Sequence, residues 1–171
     1  MATYRPRAKW TLVLASAVVL AGLVLLLRPP AQIPDDQQIT QVLSDAARAA
    51  ESHSVKGIMA HVSGDYRDAI GLDRGRLQLL ISRGLSSMDS LRVDVATPQV
   101  ILKGDRATAE TTVTISGSLK DAGPLSPRTH ALRFYLAREP AKRLLVLPSS
   151  VWRVTGVEGF QAFLDFEDLF R

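Results

Sequence analysis

The sequence has no cysteine among its 171 residues. This absence excludes disulfide bonds, thiolate metal ligands, a cysteine nucleophile and the lipidated cysteine of a bacterial lipoprotein. Aromatic residues are scarce, at 6% of the chain, and neither a glycine-rich phosphate loop nor a Gly-x-Ser-x-Gly nucleophile motif is present. The fold must therefore rest on its apolar core, and the length suits one domain with a short appendage.

The net charge of +4 is confined to one end of the chain. Arg5, Arg7, Lys9 and Arg28 are the only charged residues among residues 1–28. The rest of the sequence holds 17 basic and 17 acidic residues, and its basic residues are scattered singly. Because nucleic-acid binding depends on a concentrated basic surface, we expect no nucleic-acid partner.

Residues 10–27 form an uncharged apolar stretch. Eighteen residues in a helix rise about 27 Å, close to the hydrocarbon thickness of roughly 30 Å. Residues 1–9 carry more positive charge than the single Arg28 after the stretch, which places the N-terminus in the cytoplasm. A cleaved secretory signal is the alternative, but two prolines follow Arg28 directly and are atypical of a cleavage site. We expect a single-pass inner-membrane anchor with a periplasmic domain behind it.

The sequence after the anchor divides into a proline-rich spacer at 28–35, a globular domain at 36–158 and a Phe-rich tail at 159–171. Helical periodicity predicts three helices, which begin near Asp36, Val55 and Asp73, with Asp35 or Asp36 as the first N-cap. Alternating patterns rich in β-branched residues predict about four strands, at 91–102, 106–118, 129–137 and 151–157. Helices followed by a meander of strands indicate an α+β domain.

Three segments, together with this order of elements, resemble the nuclear transport factor 2-like superfamily, whose cone-shaped fold SnoaL-like and cystatin-like proteins share. They are Val62–Asp68, Val100–Ala109 and Val151–Glu158. The resemblance covers about residues 36–158 and implies three helices packed on a bent antiparallel sheet with a cavity between them. Members include enzymes, binders and scaffolds, so the fold alone assigns no function.

The resemblance also implies where a site would lie, because enzyme members place a carboxylate or histidine base and a tyrosine or aspartate donor in the cavity. The ligand-pocket candidates are Tyr66, His130, Phe134 and Trp152. The alternative for each is ordinary core packing. An enzymatic pair would need Asp94 beside His130, which depends on strand register. The three histidines lack metal-ligand spacing, so we expect no metal, no cofactor and no enzymatic activity.

The last twelve residues hold four of the five phenylalanines, Phe160, Phe163, Phe166 and Phe170. A helix would place the last three on one side. Such a segment either caps the domain's own core or contacts a partner, and its acidic residues disfavour an anionic bilayer surface.

These features together favour a membrane-anchored, non-catalytic domain that acts as a scaffold or subunit contact in an envelope complex. Its partner would be another envelope protein or a second copy of the chain. The alternative is a domain that binds a small apolar ligand or lipid, and an isomerase- or dehydratase-like cavity enzyme is a third hypothesis.

Overall fold

The computed structural model describes residues 33–143 and 147–159. The proposed transmembrane anchor at 10–27 and the phenylalanines of the tail lie outside the described residues. Within the described part, no helix combines the length and the apolar character needed to cross a membrane.

Three helices come first in the chain, α1 (Asp35–Glu51), α2 (Val55–Met59) and α3 (Arg74–Ser87). The side chain of Asp73 caps α3 by accepting a hydrogen bond from the Arg76 amide at 2.8 Å, as its position before the apolar stripe predicts. The predicted N-cap of α1 is wrong: Pro34 holds that position, and no side chain caps the helix there.

Five strands follow, β1 (Met88–Val95), β2 (Gln99–Lys103), β3 (Arg106–Leu119), β4 (Gly123–Arg143) and β5 (Leu147–Glu158). They form one antiparallel sheet in the order β1-β3-β4-β5, with β2 also paired to β3. The expected segment at 91–102 is two strands instead of one, because Pro98 lies in the break and cannot donate to a ladder. The sheet therefore has five strands instead of about four.

The sheet is curled, and its pairings contain three register shifts, of which one lies between Met88 and Ser90 of β1. A second lies between Ile115 and Gly117 of β3, and a third lies where Tyr135 and Leu136 of β4 pair with Gly156 and Val154, which leaves Thr155 of β5 as the extra residue. At Gly117 a Cβ atom would lie 2.1 Å from the Ser90 carbonyl oxygen, so only glycine allows β1 to approach this closely. Such bulges bend a strand and increase its local twist.

The helices pack on the inner face of the curled sheet. Ile39 and Leu43 of α1 are buried in one apolar cluster with two small residues of β3, Ala107 and Ala109. The segment after α2 runs along the free edge of β5, where the Ser63 amide donates to the Val154 carbonyl at 2.9 Å. This pairing accounts for the end of α2 at Met59, earlier than the helical pattern predicted.

Candidate functional site

The inner face of the sheet has two halves with different surroundings. The near half consists of Ala107, Ala109, Leu136 and Val154, and all four belong to the apolar cluster built with the helices. The far half consists of Thr111, Val113, His130 and Leu132, which pair across β3 and β4 as Thr111 with Leu132 and Val113 with His130. None of these four is a member of the cluster. Thr111, Val113 and Leu132 are nevertheless buried, at 8%, 5% and 7% exposed.

Tyr66 lies at the rim of the near half and is 3% exposed. Its hydroxyl donates to Asp68 Oδ2 at 3.3 Å, while Oδ1 of the same carboxylate accepts hydrogen bonds from the Ile70 amide at 3.1 Å and the Leu72 amide at 2.8 Å. Burial, and then the neighbouring Asp68 carboxylate, raise the pKa of Tyr66. The phenol is thus a neutral donor that is already engaged in holding the loop.

Trp152 belongs to a second polar group, which joins the start of α1 to the β4–β5 ribbon. Its indole Nε1 donates to Asp35 Oδ1 at 3.2 Å, and Arg138 donates to Asp35 Oδ2 at 2.5 Å. The Arg138 guanidinium also lies 5.0 Å from the centre of the Trp152 ring, within the range of a cation–π contact. We call Asp35, Arg138 and Trp152 the junction clamp.

His130 lies on the inner face opposite Val113, as the alternation of β4 predicted. Asp94 is paired with Thr114, one position along from Val113, and its side chain therefore points to the outer face. The structure does not bring His130 and Asp94 together. Phe134 faces the same side as His130 but packs against the cluster of the near half.

Two surface grooves flank the end of β5. One, of about 390 Å³, is lined by Arg67, Asp68, Tyr135 and Glu158 among others. The other, of about 490 Å³, runs past Thr97, Thr111, Leu132 and Gly159. Both are lined by charged as well as apolar residues.

Glu158 contributes to both grooves, and its carboxylate is held by two outer-face residues of β4. Oε1 accepts from the Tyr135 hydroxyl at 2.8 Å, and Oε2 accepts from Arg133 at 3.2 Å. Arg133 in turn donates to Glu110 at 2.8 Å. Sequence reasoning missed this network, since alternation places the side chains outward but only the register sets them side by side.

Metal binding has no support in the described ranges 33–143 and 147–159. They contain no group of three or more histidine, aspartate or glutamate side chains placed to hold an ion. His53 is exposed just after α1, His61 lies beside β5, and His130 lies on β4.

The sequence matches no family model and no curated protein sequence. Solved structures are nevertheless similar in fold. One is a candidate aromatic ring hydroxylase from Novosphingobium aromaticivorans, 17% identical with a TM-score of 0.59, covering 74% of this chain and 89% of that one. Another is a nuclear transport factor 2-like superfamily protein from Salmonella enterica serovar Typhimurium, 17% identical with a TM-score of 0.57, covering 71% and 87%.

A third is a nuclear transport factor 2-like protein with a cystatin-like fold, also from N. aromaticivorans. It is 20% identical with a TM-score of 0.54 and covers 81% of this chain and 84% of that one. These likenesses confirm the cone-shaped α+β fold of the domain. Proteins of this fold include both enzymes and non-catalytic members, so the fold leaves the activity open.

Proposed function

We propose that the chain is a membrane-tethered domain outside the cytoplasm that works by binding a protein partner in an envelope complex and catalyses no reaction. The observation that carries the proposal is the state of Tyr66 and Asp68. The Tyr66 hydroxyl, the donor candidate of the pocket, donates to Asp68, and the same carboxylate accepts the Ile70 and Leu72 amides of the loop. A pair committed to holding a loop acts as structure and not as a proton relay.

The junction clamp supports a tethered role. Asp35 is the first residue of α1 and the last residue of the proline-rich spacer at 28–35, whose prolines keep a chain extended. The hydrogen bonds from Arg138 and Trp152 fix Asp35 within the domain. A domain held in this way at its tether can present a defined surface, which a subunit contact requires.

A surface suited to a partner lies on β2. Ile101 and Leu102 are 56% and 45% exposed, although large apolar side chains are usually covered. Among the described strands β2 pairs with β3 alone, and an edge strand offers unpaired backbone groups to a neighbour. The formally neutral domain favours a protein partner over a charged polymer.

The contact can be tested with the full chain extracted in mild detergent. We expect particles larger than a monomer by mass photometry, and Ile101→Asn with Leu102→Asn should shift them to the monomer mass. Leu79→Asn is the matched control, because Leu79 is 52% exposed but lies on α3. A monomer that co-purifies with no envelope protein would contradict the proposed role.

The location is tested separately with reporter fusions. Alkaline phosphatase joined after residue 171 should be active, because this enzyme needs the oxidising periplasm. A fluorescent reporter that matures only in the cytoplasm should stay dark at the same position. The reverse result would place the domain in the cytoplasm and remove the envelope from the proposal.

The second candidate is the binding of a small apolar ligand or lipid, and the groove of about 490 Å³ beside Leu132 favours it. Pockets of 300–1,000 Å³ commonly hold small molecules. Native mass spectrometry of the chain purified from cells should then show a retained mass that organic extraction removes. A single species with the mass of the chain alone would contradict ligand binding and support the binding of a protein partner.

A further inference from the structure

The edges of the sheet are formed by β1, β2 and β5, because each of them pairs with only one other described strand. β5 is covered by the segment after α2, which hydrogen bonds to its backbone. β1 is covered by the end of α1, where Glu51 Oε1 accepts a hydrogen bond from the Val93 amide at 3.0 Å. β2 receives no such cover from the described residues, and its Ile101 and Leu102 are 56% and 45% exposed. An edge left bare in this way is typical of a site where another strand adds.

The turn that joins β2 to β3 sets which backbone groups of β2 are available. Lys103 pairs with Arg106 across a two-residue turn, so these two residues exchange hydrogen bonds. Because bonding alternates along an antiparallel pair, Ile101 also directs its amide and carbonyl toward β3, whereas Val100 and Leu102 direct theirs away from it. The free edge of β2 therefore offers the N–H and C=O groups of positions 100 and 102.

An antiparallel copy of β2, centred on Ile101, matches this edge. Val100 of one chain then lies opposite Leu102 of the other, and the two such pairs satisfy all the available N–H and C=O groups. Ile101 lies opposite itself, with the two Cβ atoms about 4.5–5.5 Å apart, so apolar side chains that are exposed in one domain cover each other. The contact is thus self-complementary, as a two-fold axis requires.

The charged residues of the outer face are compatible with the same register. Lys103 of one chain lies opposite Gln99 of the other, and Gln99 is paired within its own chain with Glu110. Arg106 flanks Lys103 on its own side. Basic residues of one chain therefore lie beside a neutral amide and then a carboxylate of the other. No like charges are opposed along β2, which favours the pairing.

We propose that two copies of this chain join through β2, in an antiparallel pairing centred on Ile101 that makes one continuous sheet across the two domains. This inference rests on the proposed function, because it names the partner of the β2 surface as a second copy of the chain. A strand from a different protein could use the same backbone groups but would not place position 101 opposite itself. The register therefore distinguishes the two kinds of partner.

The absence of cysteine allows single cysteines to report the register in the full chain in mild detergent. Ile101→Cys should form a covalent dimer after mild oxidation, because position 101 lies opposite itself in a non-hydrogen-bonded pair, whose close side chains suit a disulfide. Leu79→Cys, on α3 and 52% exposed, is the matched control for random collision. The dimer should form faster at position 101 by on the order of tenfold or more, since paired strands hold the thiols at an effective concentration of roughly millimolar. Equal rates at positions 79 and 101 would overturn the pairing.

Gln99→Cys and Lys103→Cys test whether the pairing is centred on Ile101. Each variant alone should stay monomeric, because a position and its own copy lie about 14 Å apart along the strands. A mixture of the two variants should give a covalent dimer, since position 99 of one chain lies opposite position 103 of the other. Covalent dimers from each variant alone would overturn this register.

Leu102→Pro tests whether the contact is a backbone pairing. Proline removes an N–H group that β3 does not use, and Leu102→Ala is the matched control because it shortens the side chain but keeps the N–H. Combined with Ile101→Cys, Leu102→Pro should abolish cross-linking and Leu102→Ala should retain most of it. Circular dichroism should show that both variants stay folded. Equal cross-linking in the two variants would overturn strand pairing.

The outcomes separate this inference from the proposed function. Monomers of Ile101→Cys, together with a different envelope protein that co-purifies through β2, would overturn the pairing of two copies and leave the envelope role in place. A covalent dimer in a chain whose reporter fusions place the domain in the cytoplasm would support the pairing and remove the envelope role. Monomers with no co-purified protein would overturn both.

Discussion

The near and far halves of the inner face share the same two central strands and the same alternation, yet they are completed differently. In the near half, Ala107 and Ala109 are small and the helices supply the bulk, including Ile39. In the far half, the sheet carries larger and more polar side chains, among them Val113 and His130, outside that cluster. Strand pattern alone thus sets which residues face inward, while the covering segment decides whether a face becomes core or site.

The largest effect should separate two leucines on β4. Leu136→Ala in the near half should lower the free energy of unfolding by about 2–5 kcal/mol, because it opens a cavity in a packed cluster. Leu132→Ala in the far half should be less costly, because Leu132 does not belong to that cluster. Urea unfolding of the full chain in detergent, with equal m-values, measures both. Equal losses would mean that the two halves are packed alike.

The junction clamp provides the next largest effect. Asp35→Asn weakens the charge-assisted bond with Arg138, a partly buried guanidinium, and should lower stability by about 1–3 kcal/mol. Asp36→Asn is the matched control, because Asp36 is exposed in the same first helical turn and keeps the same relation to the helix dipole. Thermal unfolding of both variants tests the comparison, and a similar loss in each would show that the clamp adds nothing.

A smaller effect is expected at the rim of the near half. Tyr66→Phe removes the 3.3 Å bond to Asp68 and should lower stability by about 0.5–1.5 kcal/mol at neutral pH. The pKa of Tyr66 is raised in the folded state. The contribution of the protonated phenol to the free energy of unfolding is therefore full below the ordinary value of 10.0 and is lost as pH rises beyond it. Denaturation should show a smaller difference in the free energy of unfolding between wild type and Tyr66→Phe at pH 10.5 than at pH 8. A constant gap would contradict the shift.

The smallest effect concerns His61, beside the edge of β5. Burial lowers its pKa; Asp45 opposes this and Arg153 adds to it. Because the pKa of His61 is lower in the folded state, protonation of this side chain does not weaken the fold above the ordinary value of 6.5. As pH falls below that value, the free energy of unfolding decreases. His61→Gln should therefore lose less stability than wild type between pH 7.5 and pH 5. Parallel pH curves would contradict this.

Much of the fold followed from local pattern. The strand starting at Arg106 and the helix that begins at Asp73 were predicted because each depends on residues within a few positions. The tether and the tail stay predictions, since they fall outside the described residues. The number of strands was missed by one, because a proline marks an interruption without showing that the two pieces pair separately with β3.

The candidate site was less predictable. Tyr66, Phe134 and Trp152 were named as ligand-pocket candidates with core packing as the alternative, and the structure places Tyr66 and Trp152 in the apolar cluster and Phe134 against it. Their partners were not predicted: Asp68 for Tyr66 is close in sequence, but Asp35 for Trp152 lies 117 positions away. No local pattern encodes a contact at that separation.

The sequence by itself determined the α+β class, the alternation of the strands, the neutrality of the domain and the placement of all surplus charge beside the apolar stretch. Only the tertiary structure decided that Asp94 and His130 lie on opposite faces and that Asp35 meets Arg138 across the domain. The physical reason is that periodicity and capping are energies between near neighbours. Register and long-range hydrogen bonds depend on how the whole sheet curls and closes.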